Sequence, residues 1–326
     1  MAAIDEMTQP AETIPDLSVL IVNWNTREMT LECLRSLYAE TRETSFETIL
    51  VDNGSQDGSA EAIAAEFPQV RLLAEADNHG FAKANNMAAQ IARGRYVLLL
   101  NSDTVVLDGA IDRLMAFAKR TPDAKVWGGR TVFADRSLNI GSAWGKLTVW
   151  SAFCFGTGLS QIFTGINLFD PEAMRGWDRS TERQVDIVSG CFFLMERAFW
   201  DQLDGFDLNF FMYGEEAELC ARARDAGAEP RVTPDATIIH HGGASATTKW
   251  QSRNSVCAAK VALAKKHMSP LKAAWVRRFY VMGVALRSFG YRVLSALTGK
   301  GKVQAGIWTE VWKRRHEWTR GKLPAR

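Results

Sequence analysis

From residue 17 onward the chain alternates short, almost continuous apolar runs at 19–22, 48–51, 70–73 and 96–100 with helical stretches at 27–39, 59–67 and 81–92. Runs rich in Val, Ile and Leu with no polar alternation suit strands buried on both faces, and a strand–helix–strand order joins such strands in parallel. The repeat therefore predicts an α/β fold, a mostly parallel central sheet with helices on both faces. Three of the strands end in polar turns: Asn23-Trp24-Asn25, Asp52-Asn53-Gly54 and Asn101-Ser102-Asp103. Ligands of open α/β sheets bind outside the carboxyl ends of the strands, so these three ends are expected to line one crevice.

A helix at 107–120 and a strand at 125–128 extend the domain, after which regularity lapses. No charged residue occurs between Leu147 and Phe169, a length that matches the ~20 residues of a membrane-crossing helix. Gly156, Gly158, Gln161, Gly165 and Asn167 interrupt it, and a buried or membrane-dipping segment is expected instead. An apolar run follows at 186–196, then the turn Gly205-Phe206-Asp207 and the aromatic approach Phe210-Phe211-Met212-Tyr213. A helix at 215–226 is closed by Gly227, the residue type that ends helices in a left-handed conformation. A strand at 236–239 then delivers His240-His241-Gly242-Gly243.

With 47% hydrophobic and 23% charged residues, the 326-residue chain has enough apolar matter for a sizeable core, which excludes wholesale disorder. Its five cysteines are odd in number, far apart and without a CxxC pair, so neither a disulfide framework nor a structural zinc site is indicated. Residues 1–16 carry Asp5, Glu6, Glu12 and Asp16 and no basic residue, the reverse of a secretory signal. They read as a disordered leader on a cytoplasmic protein.

The net charge of +2 hides an asymmetry, because residues 269–326 contain 13 Lys and Arg against only Glu310 and Glu317. Trp275, Phe279, Tyr280, Phe289, Tyr291, Trp308, Trp312 and Trp318 are interleaved with those cations. Basic and aromatic residues mixed in this way suit a helix lying on an anionic bilayer. A solvated helical cap is the alternative; nucleic acid is not expected, since no recognition motif accompanies the charge. The chain thus divides into a leader (1–16), a main domain (17–250) and a basic helical region (251–326) that associates with a membrane surface, placing the protein peripherally on the inner face of the plasma membrane.

Several residues carry chemistry. Asp52 can accept from a pyrimidine N–H or a ribose hydroxyl, although Asp, Asn, Gly and Ser at a strand end also simply suit caps and turns. The loop Asn78-His79-Gly80 runs into a helix whose exposed N–H groups and Lys83 favour phosphate. Asp103 follows a strand and offers hard oxygen to Mg²⁺ or Mn²⁺, the latter also accepting an imidazole such as His240. Glu215 and Glu216 stand in a helical first turn, where acids offset the macrodipole; a carboxylate there can also take a proton from a hydroxyl. His241 is the bystander of the histidine pair.

Taken in order, Val19-Leu20-Ile21-Val22-Asn23-Trp24-Asn25, Val51-Asp52-Asn53-Gly54-Ser55, Asn78-His79-Gly80-Phe81, Asn101-Ser102-Asp103, Gly190-Cys191-Phe192-Phe193, Gly205-Phe206-Asp207, Gly214-Glu215-Glu216 and His240-His241-Gly242-Gly243 resemble the family 2 glycosyltransferases. Within that family the chain is most similar to the rhamnosyltransferases of bacterial cell-surface glycans. The resemblance implies a GT-A fold, a dTDP- or UDP-sugar donor, inversion at the anomeric carbon, and a lipid-linked or other glycan acceptor. It implies that Asp52 holds the nucleotide base, with Asn23, Asn53, Asn78, Lys83, Asn101 and Ser102 as further donor contacts. Asn101-Ser102-Asp103 stands where the family has its DxD motif, so Asp103 and His240 are the implied metal ligands. Glu216 stands where the family usually has an aspartate base, with Glu215 as the other candidate. Asn101 for Asp and Glu216 for Asp depart from the pattern, and leave open a non-catalytic sugar-nucleotide binder. A dinucleotide oxidoreductase is excluded because the first strand leads into Asn23-Trp24-Asn25-Thr26 with no GxGxxG.

Overall fold

Strand β1 (Leu17–Asn23) is the spine of the sheet: it pairs in parallel with β2 (Phe46–Asn53) on one side and with β4 (Tyr96–Leu100) on the other, and β3 (Arg71–Glu75) adds to β2. The computed structural model describes residues 14–242 and 248–321. Residues 1–13 of the expected leader, and Gly243, lie outside that range. At its near end Asp16 is fastened to the domain, its N–H donating to Ser45 Oγ (2.9 Å) and its carboxylate pairing with Arg95.

Alternate residues of β1 enter opposite cores, as the strand period of two requires. Leu17, Val19 and Ile21 pack with α1 (Arg27–Glu40), α2 (Ser59–Glu66) and α4 (Ala110–Arg120), whereas Leu20 packs with α3 (Phe81–Ile91). Strand β4 divides in the same way, Leu98 and Leu100 to one face and Val97 and Leu99 to the other. Helix α4 shows the matching pattern, burying Ile111, Leu114, Met115 and Ala118 at helical spacing. This half is the α/β sandwich that the sequence predicts.

Four further strands continue the sheet: β5 (Thr104–Val106), β6 (Val126–Val132), β7 (Phe192–Glu196) and β8 (Arg231–His240), in the order β3-β2-β1-β4-β7-β6-β8-β5, and the two-residue strands Leu138–Asn139 and Arg183–Gln184 add to β6 and β8. Strand β7 runs antiparallel between β4 and β6, and β5 pairs antiparallel with the end of β8. The sheet is therefore mixed, with its N-terminal half parallel.

The apolar run at 186–196 is divided between two sheets. Ile187–Val188 pairs with Ala143–Trp144 in a small separate sheet, and Ser189-Gly190 turns the chain before β7. The uncharged segment 147–169, expected to be broken and buried or membrane-dipping, is indeed broken, but Ile162, Ile166 and Leu168 within it are exposed. It forms α5 (Val149–Thr157) and a single turn at Leu159–Ile162, separated by Gly158 in a left-handed conformation (φ 83°). Among the described residues no helix is long and apolar enough to cross a membrane.

The chain then continues through α6 (Glu215–Asp225), α7 (Lys249–His267), α8 (Pro270–Thr298) and α9 (Lys302–Lys313). The last three enclose a core of their own, in which Tyr280, Trp308 and Trp318 are buried with Leu147, Val276 and Val284. Those three aromatics are thus core residues and not the surface aromatics that composition suggests. Trp275 and Phe289 stay on the surface, 42% and 67% exposed.

The contact between β6 and β8 tolerates no side chain at Gly129. A Cβ there would lie 2.1 Å from the Ala236 carbonyl oxygen and 2.6 Å from the Phe192 ring, beside the register shift of β8 between Thr233 and Thr237. Gly129→Ala is expected to lower stability by about 3 kcal/mol, the upper range for overpacking, as read by urea denaturation.

Candidate active site

The decisive element is β5, only three residues long. Its antiparallel pairing sets Thr104 opposite His240, and the two hydrogen bonds that follow close the turn: His241 N–H donates to the Asp103 carbonyl (3.1 Å), and Gly242 N–H to Asp103 Oδ2 (3.0 Å). Residues more than a hundred positions apart in sequence are thereby brought into contact, with His240 Nε2 3.4 Å from Asp103 Oδ1 and 3.4 Å from Asn101 Nδ2.

Beside this pair lies a cleft of about 470 Å³. Asn101, Ser102, Asp103 and His240 line one end, and Glu215 and Glu216, from the first turn of α6, also line it. The turn into α6 is sharp. Tyr213 (φ 72°) and Gly214 (φ 91°) are both left-handed, a conformation that costs a tyrosine roughly 1–3 kcal/mol and is found where the surrounding structure over-determines it.

Buried polar atoms without a partner gather here, among them Asn101 Oδ1, His240 Nδ1, Glu215 Oε2 and Glu216 Oε2. Such atoms cost free energy unless a ligand satisfies them. Burial pushes the Glu215 carboxyl well above its usual range, with the adjacent Glu216 adding repulsion, and burial raises Glu216 too. At Asp103 burial acts against the charge, but the hydrogen bond and attraction from His240 prevail and hold the carboxyl low. Burial likewise opposes an imidazolium at His240, yet Cys191 and Asp103 beside it raise its value to about 11. The pair is thus a carboxylate facing a cation, and a divalent ion would take the place of the proton.

Among the described residues no group of three or more His, Cys, Asp or Glu is arranged to hold a metal. Two ligand atoms 3.4 Å apart in a cleft with partnerless oxygens nonetheless fit a hard cation that takes one or two protein ligands and completes its shell from phosphate and water.

The remaining candidates lie along the neighbouring strand ends. Asn23, buried at the end of β1, donates to Asp52 Oδ1 (2.6 Å) and accepts from Thr26 Oγ1 (2.7 Å), which stands 3.2 Å from Ser102 Oγ. Asp52 also accepts from Ser55 N–H. Asn53 donates to Asn78 Oδ1 (3.0 Å) and accepts from His79 N–H (2.8 Å). A hydrogen-bonded row therefore runs from Asp52 through Asn23 and Thr26 to the cleft. Lys83 is not part of it: it lines a different cavity with Asp204 and Asp207.

Thr26, Asn139 and Trp144 also line the cleft, and sequence reasoning missed them. Asn139 and Trp144 come from the irregular stretch after β6, where no periodicity marks a site. Thr26 carries a signal only in its place directly behind the first strand end.

Residues 18–200 match the sequence model of glycosyl transferase family 2. The chain is 27% identical over 239 residues to the O-antigen biosynthesis protein RfbC of Myxococcus xanthus, covering 72% of this chain but only 18% of that protein. It is 29% identical over 213 residues to the N-acetylglucosaminyl-diphospho-decaprenol L-rhamnosyltransferase of Mycobacterium tuberculosis, covering 61% of this chain and 67% of that one. Among solved structures it resembles a mannosyltransferase from Pyrobaculum calidifontis, determined with GDP-Man and Mn²⁺, with a TM-score of 0.55 and 15% identity over 94% of this chain and 88% of that one. Likeness at that identity speaks for the GT-A fold alone. With more than half its length matched by the family model, the chain belongs to glycosyl transferase family 2 and is a glycosyltransferase.

Proposed function

We propose that this enzyme transfers a sugar from a nucleoside diphosphate to a glycan hydroxyl with inversion, using a divalent metal. The donor proposed first is dTDP-rhamnose, with UDP-sugars next, and the acceptor is a lipid-linked or cell-surface glycan. The observation that carries this reading is the single cleft lined by Asp103 and His240 and by Glu216. The names of the Myxococcus and Mycobacterium relatives support the choice of sugar and acceptor.

In this reading Asp103 and His240 would hold Mg²⁺ or Mn²⁺, which would supply positive charge to offset that of the diphosphate leaving group. Asn101 and Ser102 contact the donor beside it. The nucleoside end extends toward Asp52, Asn53 and Asn78, along the row of hydrogen bonds through Asn23. Glu216 takes the proton of the acceptor hydroxyl as that oxygen bonds to the anomeric carbon, and the electron pair of the broken glycosidic bond leaves with the diphosphate. Burial raises the value of Glu216, which makes it a stronger base once ionised. Burial, with repulsion from Glu216, raises Glu215 as well. A position on the inner face of the plasma membrane, held by the basic helices α8 and α9, belongs to the same proposal.

Glu216→Gln is expected to lower transfer by about 10²–10⁴, the usual contribution of general acid–base catalysis, with donor binding by calorimetry retained. Asp103→Ala should weaken donor binding as well as turnover. Full turnover in both variants would show the roles to be misassigned, and donor binding without turnover on any acceptor in the unaltered protein would point to a sugar-nucleotide binder.

Treatment with EDTA should abolish transfer from dTDP-rhamnose or UDP-sugars, and Mn²⁺ or Mg²⁺ should restore it. Activity indifferent to chelation would remove the metal from the mechanism.

The buried acids cost stability. The folded value of Glu215 stands above its unfolded one, so its contribution to stability is full in acid and is lost as pH rises through the raised value. Glu215→Gln should therefore raise Tm at pH 8, and the gain should vanish toward pH 4, as followed by thermal denaturation.

A further inference from the structure

A second cavity, of about 380 Å³, lies behind Glu216. Trp144, Tyr213 and Glu216 line both it and the active-site cleft, whereas Asp103 and His240 line only the cleft. Ile187, Val256, Ala259 and Leu263 form an apolar part of its wall, and two acids, Asp170 and Glu172, and two cations, Lys260 and Arg253, complete it. Lys260 is paired with Glu172, and Asp170 with Arg175 (2.6 Å). Among the described residues Arg253 has no carboxylate partner and only looks across at the Trp308 ring, 6.0 Å away.

A third cavity, of about 150 Å³, continues outward. It shares Asp170 and Glu172 with the second and is walled by Ser151, Phe155, Phe169 and Tyr280. Phe169 belongs to a ladder of aromatic contacts that leads to the surface: Phe163 on Phe169 (4.7 Å), Phe169 on Trp150 (6.3 Å), Trp150 on Phe153 (5.4 Å), Phe153 on Phe279 (5.3 Å) and Phe279 on Trp275 (5.6 Å). Around it Ile162 is 70% exposed and Leu168 61%, with Leu271 and Trp275 exposed on α8. Helix α8 exposes Lys272, Arg277 and Arg278 and carries no acid. A large exposed apolar surface rimmed by cations marks an interaction site, and its charge is complementary to an anionic bilayer.

We infer that these three cavities form the acceptor track of the enzyme: the acceptor is a sugar joined through phosphate to a long apolar chain, its sugar held between Trp144 and Tyr213, its phosphate held by Arg253, and its chain leaving along the aromatic ladder into a bilayer on which α5 and α8 lie. This inference rests on the proposed glycosyl transfer. In an inverting displacement the acceptor oxygen approaches from the side opposite the leaving diphosphate. Asp103 and His240 do not line the second cavity, whereas Glu216 borders both spaces, so a diphosphate held by the pair leaves the second cavity free for the acceptor. A guanidinium without an acid partner matches phosphate geometry, and aromatic faces suit the apolar face of a pyranose.

The test has two arms. In the first, transfer is measured to N-acetylglucosamine diphosphate esterified to a long alkyl chain and to the methyl glycoside of the same sugar. Arg253→Ala should lower the ratio of kcat/KM for the diphosphoryl over the methyl acceptor by about tenfold, and Val256→Trp, which narrows the track, should act in the same direction. An unchanged ratio in both variants of an active enzyme overturns the track while leaving glycosyl transfer intact. Absence of transfer by the unaltered enzyme to either acceptor, with donor hydrolysis equal in Glu216→Gln, overturns the underlying function and the track with it. In the second arm, flotation with phosphatidylglycerol–phosphatidylethanolamine vesicles needs no turnover. Exchanging the exposed Ile162 and Trp275 for serine should reduce vesicle binding about tenfold, and binding by the unaltered protein should fall at high salt. Equal binding by the exchanged and unaltered proteins overturns the bilayer end of the track.

Discussion

Everything at this site depends on a short antiparallel pairing, that of Thr104–Val106 with the last residues of β8. It fixes Asp103 and His240 side by side by backbone hydrogen bonds, so that two ionisable side chains are held together where burial alone would drive them apart. The neighbouring backbone serves the same end: Asn101 N–H donates to the Cys191 carbonyl (3.1 Å), and Thr104 Oγ1 donates to the Asn101 carbonyl (2.7 Å). Side chains anchored in this way need little reorganisation when a charged group arrives beside them.

The opposing wall is built on different physics. Glu215 and Glu216 are held in place by the reversal at Tyr213-Gly214 and by the packing of α6, while Glu218 in the same turn is drawn off to Arg222 and Lys266. One helical turn thus carries two kinds of acid: a fully paired structural one, and two buried ones with partnerless oxygens. Their environments, and not their identities, separate the roles.

The irregular stretch between β6 and β7 is shaped by a buried cation. Arg179 donates to the carbonyls of Trp177 (2.6 Å), Ala173 (2.9 Å) and Ile140 (3.2 Å), and stacks on the Trp177 ring. It holds the segment carrying Asp170 and Glu172 against the segment carrying Trp144. Helices α7 to α9 enclose the far side, using Tyr280, Trp308 and Trp318 as core. The basic tail therefore has two jobs: it completes the wall of the cavity beside Glu216, and it leaves a cationic outer face.

The sequence by itself determined the N-terminal half, because strands buried on both faces must be continuously apolar and their ends must be polar: β1 to β4 and the helices between them lie within a few residues of where the pattern puts them. It also marked Asn101-Ser102-Asp103, Glu215-Glu216 and His240 by residue type and by order along the chain. Only the tertiary structure decided that Asp103 meets His240, since three residues are too few to show a strand period. It also divided the run at 186–196 between two sheets, directed Lys83 to another cavity and buried Tyr280, Trp308 and Trp318 of the tail's aromatics. Each of those outcomes is set by long-range pairing or packing, which a local pattern of side chains does not encode.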